Sequence, residues 1–289
     1  MRLLVSILIF FSLGSSIASA TSIVVVRENN AIVIGADSKT TLMPGSGAGG
    51  AGSITKCKIV QAGNLFFASA GSAGIGPAEF PGDVYPEFDL KEIIAEGLKG
   101  DGRIEDKMRV LETVLVASLT RIVEKARQDD AAFFLTRFAG HPAHTIIVGG
   151  LADGELVLMV RTFRLIISPS GSLSFEIGRF ACPGDCQGPV TAIFEGQTGA
   201  IRKYLEQHKL FLSYADPVTA VRGLVGIEIS EDPSFVGPPI DILRLTKRDA
   251  QWIQRKPLCL ESKENLVFPT GERDQGFSVG VHPAMSRGH

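Results

Sequence analysis

A chain of 289 residues, 45% hydrophobic and 21% charged, has the composition of one globular domain, at most with a tail. Its formal net charge of -2, with no Lys/Arg cluster rising above a solvated face, argues against an extended nucleic-acid surface. Arg2, the apolar run Leu3 to Leu13 and the small residues Gly14 to Ala20 match the three regions of a secretory signal peptide ending in the A-x-A site Ala18-Ser19-Ala20. About eleven apolar residues are too few to span a bilayer, which takes about 20. Cleavage there predicts an exported protein, periplasmic or secreted, with no membrane attachment afterwards and Thr21 as its first residue.

Ser22–Val26 and Ala31–Ala36 are β-branched runs joined through Asn29-Asn30, residues that tolerate positive φ, and read as a hairpin. Residues 44–53 are all Gly, Ala, Ser or Pro and predict a loop without a core. A second hairpin is expected over Ile54–Val60 and Leu65–Ser69, turning at Ala62-Gly63-Asn64 and running into the small residues Ala70 to Gly74. After the Pro-rich stretch 77–86, Leu90, Ile93, Ile94 and Leu98 share a helical face, with Asp89 as N-cap. A longer helix follows through Ile104, Met108, Leu111, Leu115, Leu119 and Ile122. These side chains are read as core.

Strands are expected at Thr145–Val148, Glu155–Thr162, Leu165–Ile167 and Leu173–Phe180. A helix is expected over Val190–His208, another from Asp216-Pro217, and a last strand at Ile240–Leu245. His141 and His144 fall in a Gly/Pro-containing stretch before a strand and read as a solvated loop. The domain division is then 1–20 signal peptide, 21–254 folded domain and 255–289 a weakly ordered tail.

The four cysteines, Cys57, Cys182, Cys186 and Cys259, allow three pairings in an oxidising compartment. Cys182 and Cys186 flank the turn Pro183-Gly184-Asp185, which suits a local bridge. Neither zinc nor any cofactor is called for, because no second Cys/His pair at ligand spacing accompanies them.

Thr21-Ser22-Ile23-Val24-Val25-Val26 followed by Ala31-Ile32-Val33-Ile34-Gly35-Ala36-Asp37-Ser38-Lys39-Thr40 resembles the opening of a proteasome β-subunit-type N-terminal-nucleophile hydrolase, here a divergent secreted member. The resemblance implies an α+β fold, a four-layer αββα sandwich of two antiparallel sheets flanked by helices. It also implies an N-terminal threonine nucleophile, an aspartate sixteen residues later and a lysine at the start of the next hairpin. Thr21, Asp37 and Lys58 occupy those positions, with Lys56 a rival for the lysine.

Cleaved, Thr21 has an α-amine titrating near 7.7–8.0 beside its own hydroxyl, a built-in base for attack on an acyl carbon. Lys58 would favour the deprotonated forms of both groups, Asp37 would hold that lysine, and the backbone N–H of Gly71 would serve as oxyanion donor. Asp232, in Glu231-Asp232-Pro233-Ser234, is the candidate for the family's later aspartate. Phe180 to Cys186 stands where the family carries a Gly-Ser-Gly element. The expected activity is a threonine-type peptidase or amidohydrolase acting on a peptide or small amide. The family's ring assembly makes a homo-oligomer the expected partner. The alternative from another class is a catalytically silent sandwich serving as a binding or assembly module.

Overall fold

The computed structural model describes residues 21–41, 53–71, 74–75, 88–129, 131–138, 140–186, 188–262 and 266–267. The expectations for the signal peptide, for nearly all of the Gly-rich loop, for the Pro-rich stretch and for the end of the tail lie outside these residues.

The first hairpin is β1 (Ser22–Glu28) and β2 (Ala31–Ala36), turning at Asn29-Asn30. Two short strands, β3 (Lys39–Thr41) and β4 (Ser53–Thr55), pair with each other. The second hairpin is β5 (Ile59–Ala62) and β6 (Leu65–Gly71), and the two-residue strands β7 (Gly74–Ile75) and β8 (Phe88–Asp89) form a separate ladder. Three helices follow: α1 (Leu90–Leu98), α2 (Ile104–Asp129) and α3 (Ala131–Phe138). Then come β9 (Pro142–Ala152), β10 (Glu155–Ile167), β11 (Leu173–Cys182) and β12 (Val190–Gly196). The helices α4 (Gly199–Gln207), α5 (Phe211–Tyr214) and α6 (Pro217–Glu231) lead into β13 (Asp241–Thr246), β14 (Asp249–Gln254) and, after a 3-10 turn at Pro257–Ser262, β15 (Leu266–Val267).

Two antiparallel sheets stack face to face. One has the order β12-β1-β2-β13-β14-β15, the other β11-β10-β9-β6-β5. Between them Ile23, Val25, Ile32 and Ile34 of the first sheet meet Ile59, Phe66, Ala68, Ile147 and Leu158 of the second. The alternate residues Val24, Val26 and Val33 face outward onto Ile201 of α4 and Val221, Leu224 and Val225 of α6. Both faces of β1 are therefore covered, which is why it reads as an unbroken apolar run rather than an alternating one. On the far side, Leu90, Ile94 and Leu98 of α1 and Met108, Leu111, Leu115 and Leu119 of α2 pack on Phe67, Ile146, Val148 and Met159. The result is the four-layer αββα sandwich. Asp216 caps α6 by accepting from Thr219 N–H at 3.0 Å, with Pro217 at the first helical position.

Three expectations are corrected. Val190–His208 is a strand and then a helix, because the β-branched and aromatic residues Val190, Thr191, Ile193 and Phe194 pair with the edge of β1. His144 lies buried in β9, opposite Gly71, instead of in a solvated loop. The chain also continues past β13 into β14, which closes a further hairpin. The cysteines resolve into Cys57–Cys259 and Cys182–Cys186.

One buried ionic cluster ties α2 to the second sheet. Glu112 accepts from Arg161 Nε at 2.6 Å and from Arg179 Nη2 at 2.6 Å. Burial alone would raise the Glu112 carboxyl, but the hydrogen bonds from Arg179 and Arg161 outweigh it and leave it below its usual range. Glu112→Ala would strand the Arg161 guanidinium, 7% exposed, and is expected to cost about 3–5 kcal/mol in chemical denaturation. Because the folded value is the depressed one, the cluster's contribution is present above the ordinary carboxylate pKa. It fades as pH falls through the folded value.

Candidate active site

Thr21 immediately precedes β1 at one end of the sandwich, half-buried, and its position is set by backbone contacts from its neighbours. Ser22, the first residue of β1, pairs with Gly196 at the end of β12. The Gln197 N–H donates to the Thr21 carbonyl at 2.7 Å. A side chain on Gly196, at φ 81°, would drive its Cβ into that carbonyl oxygen, so only glycine permits the approach.

Asp37 follows β2 and is fully buried. Its Oδ1 accepts from Ser22 N–H at 2.9 Å, and its Oδ2 accepts from Lys39 N–H at 2.9 Å and Gly237 N–H at 3.2 Å. Three backbone donors compensate a carboxylate that water does not reach. Lys58, immediately before β5 and 5% exposed, brings its Nζ to 2.6 Å from Thr21 Oγ1, 3.2 Å from Asp37 Oδ1 and 2.5 Å from the Lys39 carbonyl. Burial pushes the Lys58 ammonium down to about 8, against the opposing pull of Asp37. The nearby Lys256 and Lys91 cations lower it further.

Of the sequence-derived candidates, Thr21, Asp37 and Lys58 converge. Lys58 rather than Lys56 reaches the threonine, while Lys56 donates its backbone N–H to the Ser38 carbonyl. Gly71 ends β6 next to Ala70, whose Cβ lies 3.5 Å from the Cβ position of Gly196. Its own φ of 109°, and the Ala143 carbonyl standing where a Cβ would project, require glycine. Asp232 stands apart from the trio. It forms the C-cap of α6, its carbonyl accepting from the Phe235 and Val236 N–H groups, and among the described residues its carboxylate makes no hydrogen bond to Thr21, Asp37 or Lys58.

Sequence reasoning missed the β12 end. The segment that abuts Thr21 is Gly196-Gln197, not Phe180–Cys186. Cys182 closes β11 opposite Leu158, whereas the Thr21 end of the sheet lies near Arg164 and Glu176. Those are about six residues away along the strands, about 20 Å at 3.3 Å per residue. The β-branched composition of Val190–Phe194 is the signal that could have found it. Beside this end a cavity of about 280 Å³ opens between the sheet edges, lined by Val160, Thr162, Phe180, Ile193, Glu195 and Arg202 among others. Burial pushes the Glu195 carboxyl up to about 7, against a hydrogen bond from Thr145 and the Arg202 charge. Among the described residues no cluster of side chains is arranged to hold a metal ion.

No family model matches the chain, and no curated protein matches it. Solved structures similar to it include the Anbu (Gly-1) mutant from Hyphomicrobium sp. strain MC1, at 18% identity over 82% of this chain and 86% of that one, with a TM-score of 0.42. Anbu from the same strain is 17% identical over 81% and 86%, TM-score 0.41. Anbu (ancestral beta-subunit) from Yersinia bercovieri is 16% identical over 81% and 87%, TM-score 0.42. Likeness of this degree carries no inference about chemistry. The reading of the chain as a member of the proteasome β-subunit type is corrected: no family model covers the sequence, and the similar solved structures are Anbu proteins at 16–18% identity. The physical reason is the reach of the matching residues. They run from Thr21 to about residue 250 but match strongly only over about the first fifty, and a match of that reach does not define a family across the whole chain.

Proposed function

We propose that the chain is exported, is cut after Ala20, and acts as an N-terminal-threonine hydrolase on peptide or small amide bonds. The observation that carries this reading is the 2.6 Å contact between Lys58 Nζ and Thr21 Oγ1, with Asp37 Oδ1 3.2 Å behind the lysine. A neutral amine has two N–H donors and one lone pair. At Lys58 the donors suit Asp37 and the Lys39 carbonyl, and the lone pair suits the hydroxyl proton of Thr21.

In this scheme Oγ1 attacks the substrate carbonyl carbon as its proton passes to Lys58 or to the freed α-amine. The carbonyl oxygen becomes an oxyanion beside the side-chain-free backbone at Gly71, the assigned donor. Collapse expels the amine, which takes the proton and leaves an ester on Thr21. Water, deprotonated by the same base, then releases the acid. Export is supported by the cysteines, since all four are bridged, a state at home in an oxidising compartment. Among the described residues no helix is long and apolar enough to cross a membrane. Self-association belongs to the same proposal and is read by light scattering.

The test is intact mass and N-terminal sequencing of the exported protein, followed by a panel of fluorogenic peptides and simple amides. A chain starting at Thr21 that turns over at least one of them is the expected result. A chain starting elsewhere sinks the mechanism, because the α-amine and the approach to Oγ1 are then both blocked.

A further inference from the structure

The residues on either side of Lys58 are gripped by one short segment from the far end of the chain. The carbonyl of Lys56 accepts from Lys256 Nζ at 3.0 Å, Cys57 is bridged to Cys259 across 202 residues of sequence, and the carbonyl of Ile59 accepts from Arg255 Nη1 at 3.1 Å. Lys256 Nζ also donates to the carbonyl of Asp37 at 3.1 Å, so one ammonium spans the backbones that present Asp37 and Lys58. That ammonium is held by Asp241, whose Oδ2 lies 3.0 Å from it and whose Oδ1 accepts the Lys256 backbone N–H at 2.9 Å. Both side chains are entirely buried.

A buried pair of this kind is a weak contributor to stability, since well-packed apolar residues often do as well or better. What apolar residues cannot do is fasten two carbonyl groups at set positions. We propose that Arg255–Cys259 is a positioning element for Lys58, with Lys256 at its centre: by fixing the Asp37 and Lys56 carbonyls it sets where the Lys58 amine meets Thr21 Oγ1. The inference rests on the hydrolase reading above. Lys256 acts through Lys58 and is a positioning residue, touching no reacting atom. It has a second, electrostatic effect, because its cation repels a charge on Lys58 and adds to the burial that already disfavours one.

Among the described residues, the charged groups facing Lys58 include Asp37, Lys256 and Lys91, the last of which donates from α1 to the Cys57 carbonyl at 2.7 Å, and in the mature protein the Thr21 α-amine joins them. The experiment is an NMR titration of the full mature protein carrying lysine labelled with carbon-13 at Cε, with the Lys58 signal assigned through Lys58→Arg. Lys256→Met alone would leave the buried Asp241 carboxylate with only Arg255, 3.8 Å away, as a cationic partner, so it is combined with Asp241→Asn. The expected result is a Lys58 titration shifted upward by ~0.5–1 pH unit, with kcat on whichever substrate the panel yields falling about 10²-fold at unchanged KM.

If that variant does not fold, Cys57→Ser/Cys259→Ser removes the covalent tie while keeping every charge. There the Lys58 Cε signal is expected to move toward those of solvent-exposed lysines. A Lys58 signal and titration unaltered in whichever of these variants folds overturns the proposal. Absence of hydrolysis by the unsubstituted protein would instead sink the hydrolase reading, and the titration distinguishes the two failures because it needs no substrate.

Discussion

Thr21→Ala is expected to lower hydrolysis at least ~10³-fold while leaving the protein folded, because the variant loses the only atom assigned to bond with the substrate acyl carbon. The stability cost should be no more than about 1 kcal/mol, that of one hydrogen bond, here the one between Lys58 Nζ and Thr21 Oγ1. The strand pairing and the Gln197 contact that place residue 21 use only its backbone and survive the change. Activity assayed alongside chemical denaturation checks both halves. Turnover unchanged in Thr21→Ala would leave a silent binding module as the better reading.

The second large effect concerns Lys58. With its ammonium pushed down to about 8 by burial, the neutral, proton-accepting form grows as pH rises through that value. Hydrolysis is therefore expected to climb with pH and level off above about 8. A free α-amine titrating near 7.7–8.0 falls in the same window. Lys58→Arg keeps the positive charge but cannot give up its proton, and is expected to lose about 10²–10⁴-fold in kcat.

Stability should respond in its own way. The folded state disfavours the charged lysine, so between about 8 and the ordinary value of 10.5 the unfolded chain binds more protons. The stability withheld at lower pH is thus recovered as pH rises through that interval, and Lys58→Met should remove this slope. Denaturation midpoints across the range, measured for both proteins, test it.

What is legible in the sequence is local. The Asn29-Asn30 hairpin and the Pro217 start of α6 each depend on neighbours within a few turns of chain, and the structure keeps both. The lysine is legible only to within two residues, because Lys56 and Lys58 precede the same strand and nothing local says which one reaches Thr21. What is not legible is held by distant partners. The β-branched residues of β12 hint at a strand, but the partner that completes it is β1, far back in the chain. The role of Gly196-Gln197 depends on that pairing. Lys256 carries no local signal at all. Its neighbours Asp241, Asp37 and Lys56 come from three separate segments, and Cys259 finds Cys57 only once both sheets are stacked.

The first strand has a consequence for how activity would fail. Thr21 leads directly into a strand flanked by neighbours on both sides, with Ile23 and Val25 in the inter-sheet core and Val24 and Val26 under the helices. Segments of this kind belong to the most protected cooperative unit of a protein and open only with the whole. Among the described residues, Thr21 is thus held by the core itself. In urea or on heating, loss of turnover should coincide with global unfolding rather than precede it, and amide exchange at Val24–Val26 should be as slow as any in the chain.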